Sequence, residues 1–130
     1  MKRVEVVAAI IKKDNKIFCA QRNLQKSMGG KWEFPGGKIE VGETLEQALI
    51  REIHEELDST ITVDSFFYTV EHDYPTFHIT MHSFLCTLIE GELFLEEHND
   101  SKWLKIEELD KLDWAEADWP IIKQLQRQKN

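Results

Sequence analysis

Gly37-Lys-Ile-Glu-Val-Gly-Glu-Thr-Leu-Glu-Gln-Ala-Leu-Ile-Arg-Glu-Ile-His-Glu-Glu-Leu57 is the stretch on which the reading of this chain turns. It opens with glycine, passes through Gly42, and settles into a helical pattern from Glu43-Thr44 onward. Leu45, Ala48, Leu49, Ile53 and Leu57 form an apolar stripe. Thr44 suits the N-cap, and Gln47 three residues later completes a capping box. On the same helix Glu52, Glu55 and Glu56 stand at i, i+3 and i+4, so their carboxylates leave one face within about a turn. Three like charges on one stripe repel. A solvated acidic face is the plain reading, but a bound Mg²⁺ (or Mn²⁺) would relieve the repulsion, since hard cations take carboxylate and carbonyl oxygens. Arg51 and Glu43 lie about two helical turns apart, so the arginine can reach back and clamp the loop onto the helix.

The order Gly, five residues, Glu, seven residues, Arg-Glu-apolar-x-Glu-Glu runs from Gly37 to Glu56 and resembles the Nudix box. Trp32-Glu-Phe-Pro-Gly-Gly37 just before it is similar to the MutT-like branch of that family, and the likeness covers nearly the whole chain. Eight restricted positions in order carry far more information than a lone glycine-rich loop. One departure stands out. After Glu-Glu-Leu the family pattern has glycine and an apolar residue, and this chain has Asp58 and Ser59. Glycine there closes the helix in the left-handed conformation, which Asp tolerates at some cost.

The resemblance implies an α/β fold, the α/β/α Nudix sandwich with a mixed β-sheet. The residues taken alone agree. Val4 to Ile11 is almost continuously apolar, as in a strand buried on both faces. Asp14-Asn15 marks a hairpin turn, and Lys16 to Gln21 returns as the second strand. Asn23 to Lys31 reads as a loop and Trp32 to Phe34 as a short extended piece. Ile61 to Glu71 and Thr76 to Ile89 are strand-like, with His78 and His82 on one face of the second; lacking a third ligand, they read as structural or exposed. Lys102 to Leu104 is a last short strand and Ile106 to Leu109 a helical turn. A terminal helix runs from about Trp119 to Gln128, with Asp118 as its N-cap. The 130 residues suit one domain.

A net charge of −8 argues against general attachment to DNA or RNA, which needs a basic patch. No apolar run is long enough to span a membrane and no signal-peptide pattern opens the chain, so cytoplasmic residence is expected. Cys19 and Cys86 sit in apolar runs and read as buried thiols. Trp32, Trp103, Trp114 and Trp119 read as core or interface aromatics, and His54 as exposed.

By the resemblance, the activity is Mg²⁺-dependent hydrolysis of a (deoxy)nucleoside triphosphate to the monophosphate and pyrophosphate. Glu52, Glu55 and Glu56 are then the metal-holding carboxylates, with a backbone carbonyl from Gly36 or Gly37. Glu97 corresponds to a late glutamate that completes the site, Glu96 being its adjacent competitor; the general base is Glu52 or Glu97. Arg51 belongs to the catalytic set as the clamp. Arg22 corresponds to an arginine that contacts nucleotide, and its planar donors suit phosphate. Ser27, Glu33, Phe34, Pro35, Gly36 and Asp118 correspond to the substrate pocket. MutT itself carries asparagine where this chain has Asp118, and an ionised carboxylate only accepts hydrogen bonds. The strand segments and this aspartate are also similar to CTP-type pyrophosphohydrolases of the same branch. The substrate is thus 8-oxo-dGTP-like or cytosine-type, and a non-catalytic nucleotide sensor is the reading from another class. No nucleic-acid polymer or membrane partner is expected, and the chain should be a monomer or weak homodimer.

Overall fold

The first apolar run extends at both ends into β1 (Lys2–Lys13), and the computed structural model, which describes residues 2–95 and 97–128, builds the sheet around it. Its neighbour β2 (Lys16–Gln21) follows a tight turn in which Asp14 and Asn15 both have positive φ, 50° and 65°. Two consecutive residues of that kind match the strand twist of a hairpin, and Asp and Asn tolerate the conformation. Beyond β2 lie β3 (Trp32–Glu33) and β4 (Gly36–Lys38). The long pair β5 (Thr60–Asp73) and β6 (Phe77–Glu90) is followed by β7 (Asp100–Leu104). Among the described residues these make a seven-stranded sheet ordered β3-β2-β1-β6-β5, with β4 paired to β1 and β7 to β2. Only β1 and β6 run parallel within it, so the sheet is mixed.

The alternation of β1 divides the core. Val7, Ala9 and Ile11 point to one face, with Ala48, Leu49, Ile53 and Leu57 of α1 (Leu45–Leu57). Ala8 and Ile10 point to the other, with Ile121, Ile122 and Leu125 of α2 (Trp119–Gln128). Fully burying each such leucine or isoleucine contributes about 1.5–3 kcal/mol, so the two helical stripes hold the layers to the sheet. The result is the α/β/α sandwich. Two 3₁₀ turns, Ile106–Lys111 and Glu116–Asp118, lead into α2. The edge strand β5 is broken by register shifts at Thr60/Ile61, Val63/Ser65 and Phe66/Tyr68, irregularities that blunt an exposed edge.

Three local expectations change. β4 was not foreseen: Gly36-Gly37 carries no side-chain pattern, yet Gly36 and Gly37 pair with Ala8 and Val7. A Cβ on Gly36 would collide with the Val7 carbonyl, so only glycine allows the approach. β7 begins at Asp100 rather than Lys102. The Asp118 carboxylate does not serve as the cap expected for α2; it is turned inward, as set out below. Glu96 lies outside the described residues.

His78 and His82 are taken up by carboxylates and a hydroxyl. His78 contacts Asp73 at 2.6 Å and Glu71 at 3.1 Å, while His82 contacts Glu5 at 2.7 Å and Thr69 at 2.9 Å. The His54 side chain is exposed. Among the described residues no helix is long and apolar enough to cross a membrane.

Candidate active site

The amino end of α1 is built as its sequence suggests. The Thr44 side chain accepts from the Gln47 N–H at 3.1 Å, and the Gln47 side chain accepts from the Thr44 N–H at 3.0 Å. One turn on, Arg51 spends its whole guanidinium on the box. Nε and Nη2 grip the two oxygens of Glu43 at 2.6 and 3.0 Å, and Nη2 also reaches the Lys38 carbonyl at 2.9 Å. Nη1 donates to Glu52 at 3.0 Å and to Glu55 at 2.9 Å. A forked, planar cation is the side chain that can make such a set, and it ties the loop before the helix to the helix itself.

Glu56, the remaining box carboxylate, projects into a cleft of about 280 Å³ beside the helix. Its carboxyl is pushed up to about 8, first by burial, then by a hydrogen bond with Glu52, then by the charges of Glu52, Glu33 and Glu97. Gly37 makes room for this crowding, because a Cβ there would strike the Glu52 carboxylate. Crowded carboxylates are the kind of oxygen donor that a hard divalent cation takes. As the side chains stand, Arg51 draws on Glu52 and Glu55, and no three His, Cys, Asp or Glu among the described residues converge closely enough to hold an ion.

Across the cleft from Glu56 stands Glu97, on the segment between β6 and β7. It is 59% exposed and meets Lys26 at 3.3 Å. Deeper, Arg22 at the end of β2 donates Nη1 to Glu33 Oε1 at 2.9 Å and Nε to the Ser27 carbonyl at 3.0 Å. The second Glu33 oxygen takes His98 Nε2 at 3.0 Å. Burial raises the Glu33 carboxyl, but the His98 hydrogen bond and the Arg22 charge outweigh it and hold the group below its ordinary range. An ionised carboxylate can only accept, so His98 Nε2 carries the proton in this contact.

The floor of the cleft is Asp118, 4% exposed. Its Oδ2 accepts the Phe34 backbone N–H at 3.0 Å. Burial, then the Glu33 charge, pushes this carboxyl well above the ordinary range, against the weaker pull of the Phe34 N–H and Arg22. Burial thus favours the neutral form, which can donate as well as accept.

Arg22, Glu33, Phe34, Gly36, Gly37, Glu56, Glu97 and Asp118 therefore meet at one cleft. Ser27, Pro35, Glu52 and Glu55 are not part of its wall among the described residues. Ser27 contributes a backbone carbonyl to Arg22, and Pro35 gives its carbonyl to the Ala9 N–H at 2.8 Å. Phe34 lines the cleft from a buried position, its ring 4.7 Å from that of Trp114. Sequence reasoning missed His98, Lys26 and the apolar wall of Met28, Ile79 and Met81. Proximity to Glu97 was the only signal available for His98.

The NUDIX domain model matches residues 6–124. This chain belongs to the NUDIX family. It is 38% identical over 128 residues to the 8-oxo-dGTP diphosphatase of Escherichia coli K12, covering 98% of this chain and 99% of that one. To the CTP pyrophosphohydrolase of the same organism it is 39% identical over 123 residues, covering 95% and 91%. Among solved structures, it matches that of the MutT protein of methicillin-resistant Staphylococcus aureus 252, a Nudix hydrolase, with a TM-score of 0.78, 45% identity and 98% of both chains covered. The Gly37–Glu56 stretch lies within the matched residues, and its Glu56 lines the cleft.

Proposed function

We propose that this Nudix protein hydrolyses (deoxy)nucleoside triphosphates to the monophosphate and pyrophosphate, with oxidised nucleotides such as 8-oxo-dGTP among its substrates. The reading takes residues 1–130 as one domain, cytoplasmic, acting as a monomer or weak homodimer on a small molecule. The observation that carries it is the meeting of Glu56 and Glu97 with Arg22, Glu33 and Asp118 at one cleft. One end of that cleft is acidic and glycine-rich, as a metal-bound polyphosphate requires. The other offers a buried floor with hydrogen-bonding groups, as a base requires.

In this reading Glu52, Glu55, Glu56 and Glu97, with a backbone carbonyl from Gly36 or Gly37, would hold Mg²⁺. When bound, the cation neutralises phosphate charge and lowers the pKa of a water toward neutrality. The chain's own residues do the rest. Arg51 holds the helix and its preceding loop in register, so that the carboxylates present one face. Glu52 or Glu97 takes the proton from the attacking water, and Arg22 offers guanidinium donors on the phosphate side. Asp118 and the walls around Phe34 receive the base and keep water from it.

A second reading rests on the same aspartate and on the similarity to a CTP pyrophosphohydrolase. Asp118 as an acceptor suits a cytosine amino group; protonated, it also suits a purine edge that both donates and accepts. The intact box carboxylates weigh against a non-catalytic sensor. The deciding experiment is pyrophosphate release with Mg²⁺ from 8-oxo-dGTP, dGTP, CTP, dCTP and 5-methyl-dCTP, compared as kcat/KM. Preference for 8-oxo-dGTP supports the first reading and preference for the cytosine set the second. Tight binding without pyrophosphate release overturns both.

A further inference from the structure

Glu97 faces the cleft from between β6 and β7, and among the described residues its own side chain is tied only to Lys26, itself 51% exposed, through an ion pair of the kind that contributes little order. The fixed points of the segment lie on either side of it. On one side Leu93 N–H donates to Ser59 Oγ at 2.8 Å and Phe94 N–H to the Leu57 carbonyl at 2.9 Å. On the other, Asn99 is bonded twice to Gln21, at 2.9 and 2.7 Å. Between Asn99 and Glu97 comes His98, whose side chain is only 6% exposed.

That burial is chemically specific. Nε2 donates to Glu33 Oε2, while Nδ1 is buried with no hydrogen-bond partner among the described residues. A bare buried nitrogen costs free energy that an apolar side chain of similar size avoids, so filling space does not account for an imidazole here. The donation to Glu33 does. Through it the residue next to Glu97 is joined to β3, to Arg22, which holds the other Glu33 oxygen, and to the Ser27 carbonyl beyond.

We propose that His98 is a positioning residue: by donating Nε2–H to Glu33 it anchors the Glu97 carboxylate over the cleft and couples it to the Arg22 side of the pocket. This rests on the reading of Glu97 as part of the reacting site. A misplacement of about 1 Å at a reacting group can cost on the order of a hundredfold in rate, which is the leverage such an anchor has.

The test uses the whole protein, Mg²⁺ and whichever triphosphate of the panel above is turned over best. The variants are His98→Ala, His98→Gln, His98→Asn, Glu97→Gln and the double variant His98→Ala/Glu97→Gln. The Gln amide can place a donor near Nε2, whereas the shorter Asn amide cannot reach Glu33. Expected are a kcat about tenfold or more lower in His98→Ala and His98→Asn, KM within about threefold, and recovery in His98→Gln. Because His98 acts through Glu97, the double variant should lose no more than Glu97→Gln alone. Thermal midpoints measured alongside separate this from loss of fold. If His98→Ala does not fold, the comparison of Gln with Asn decides. Equal rates for Gln and Asn, an unchanged kcat in His98→Ala, or additive losses in the double variant overturn the proposal. An unchanged kcat in Glu97→Gln instead overturns the assignment of Glu97 on which it rests.

Discussion

Asp118 reaches 84 positions back along the chain to accept the Phe34 backbone N–H through Oδ2 at 3.0 Å. The contact joins the turn before α2 to the segment that leads into the Nudix box, and it holds a carboxyl buried. Its folded-state pKa is raised, so between the ordinary aspartate value and that raised value the native protein binds more protons than the unfolded chain. Stability must then fall as pH rises through that window. Asp118→Asn keeps an oxygen for Phe34 and removes the titration. Its thermal midpoint should draw progressively ahead of wild type as pH rises above the ordinary aspartate value of about 4. A gap that stays constant over that range would sink the argument. Asp118→Ala leaves the Phe34 N–H bare and should cost about 1–3 kcal/mol in chemical denaturation.

Glu52 sits between Arg51 and Glu56 and belongs to the proposed metal set. Glu52→Gln should lower kcat on the order of a hundredfold or more and weaken Mn²⁺ binding measured by electron paramagnetic resonance. Turnover and Mn²⁺ binding both at the wild-type level would remove Glu52 from the site.

Arg51→Lys retains the charge and loses the fork. A lysine cannot bond both Glu43 oxygens, the Lys38 carbonyl, Glu52 and Glu55 together. The thermal midpoint should drop by roughly 5 °C. A variant as stable as wild type would show that the clamp is only an exposed charge pair.

Asp58 closes α1 in the left-handed region, φ 48° and ψ 45°, where the family pattern has glycine. That conformation strains a residue with a Cβ, and part of the relief from glycine is offset by its greater freedom when unfolded. Asp58→Gly should therefore stabilise by about 0.5 kcal/mol and Asp58→Ala should destabilise by about 1 kcal/mol. Urea midpoints in the opposite order would refute this.

Burial pushes the thiols of Cys19 and Cys86 each up to about 12, with the Asp64 charge a further cause at Cys86. Thiol reagents need the thiolate. Native protein should resist a disulfide reagent at neutral pH, and both cysteines should react once guanidinium unfolds it. Rapid labelling of folded protein would contradict the burial.

What the sequence determined by itself is the part whose causes lie within a few residues. The Thr44–Gln47 capping box, the apolar stripe of α1 and the Arg51–Glu43 clamp all join residues no more than about two turns apart. Helix geometry converts that spacing into position. The two buried faces of β1 were legible because period-two burial on both sides leaves an unbroken apolar run. What only the tertiary structure decided is carried by contacts with no local cause. β4 is two glycines and a lysine, given strand form by β1. His98 meets Glu33 across 65 positions and Lys26 meets Glu97 across 71. Asp118, in position to cap a helix, turned inward where Phe34 presents an N–H, and the upward push on its carboxyl comes first from burial and not from its neighbours in sequence. A carboxylate's spacing can be read from the chain; its dielectric surroundings and partners exist only once distant segments have packed together.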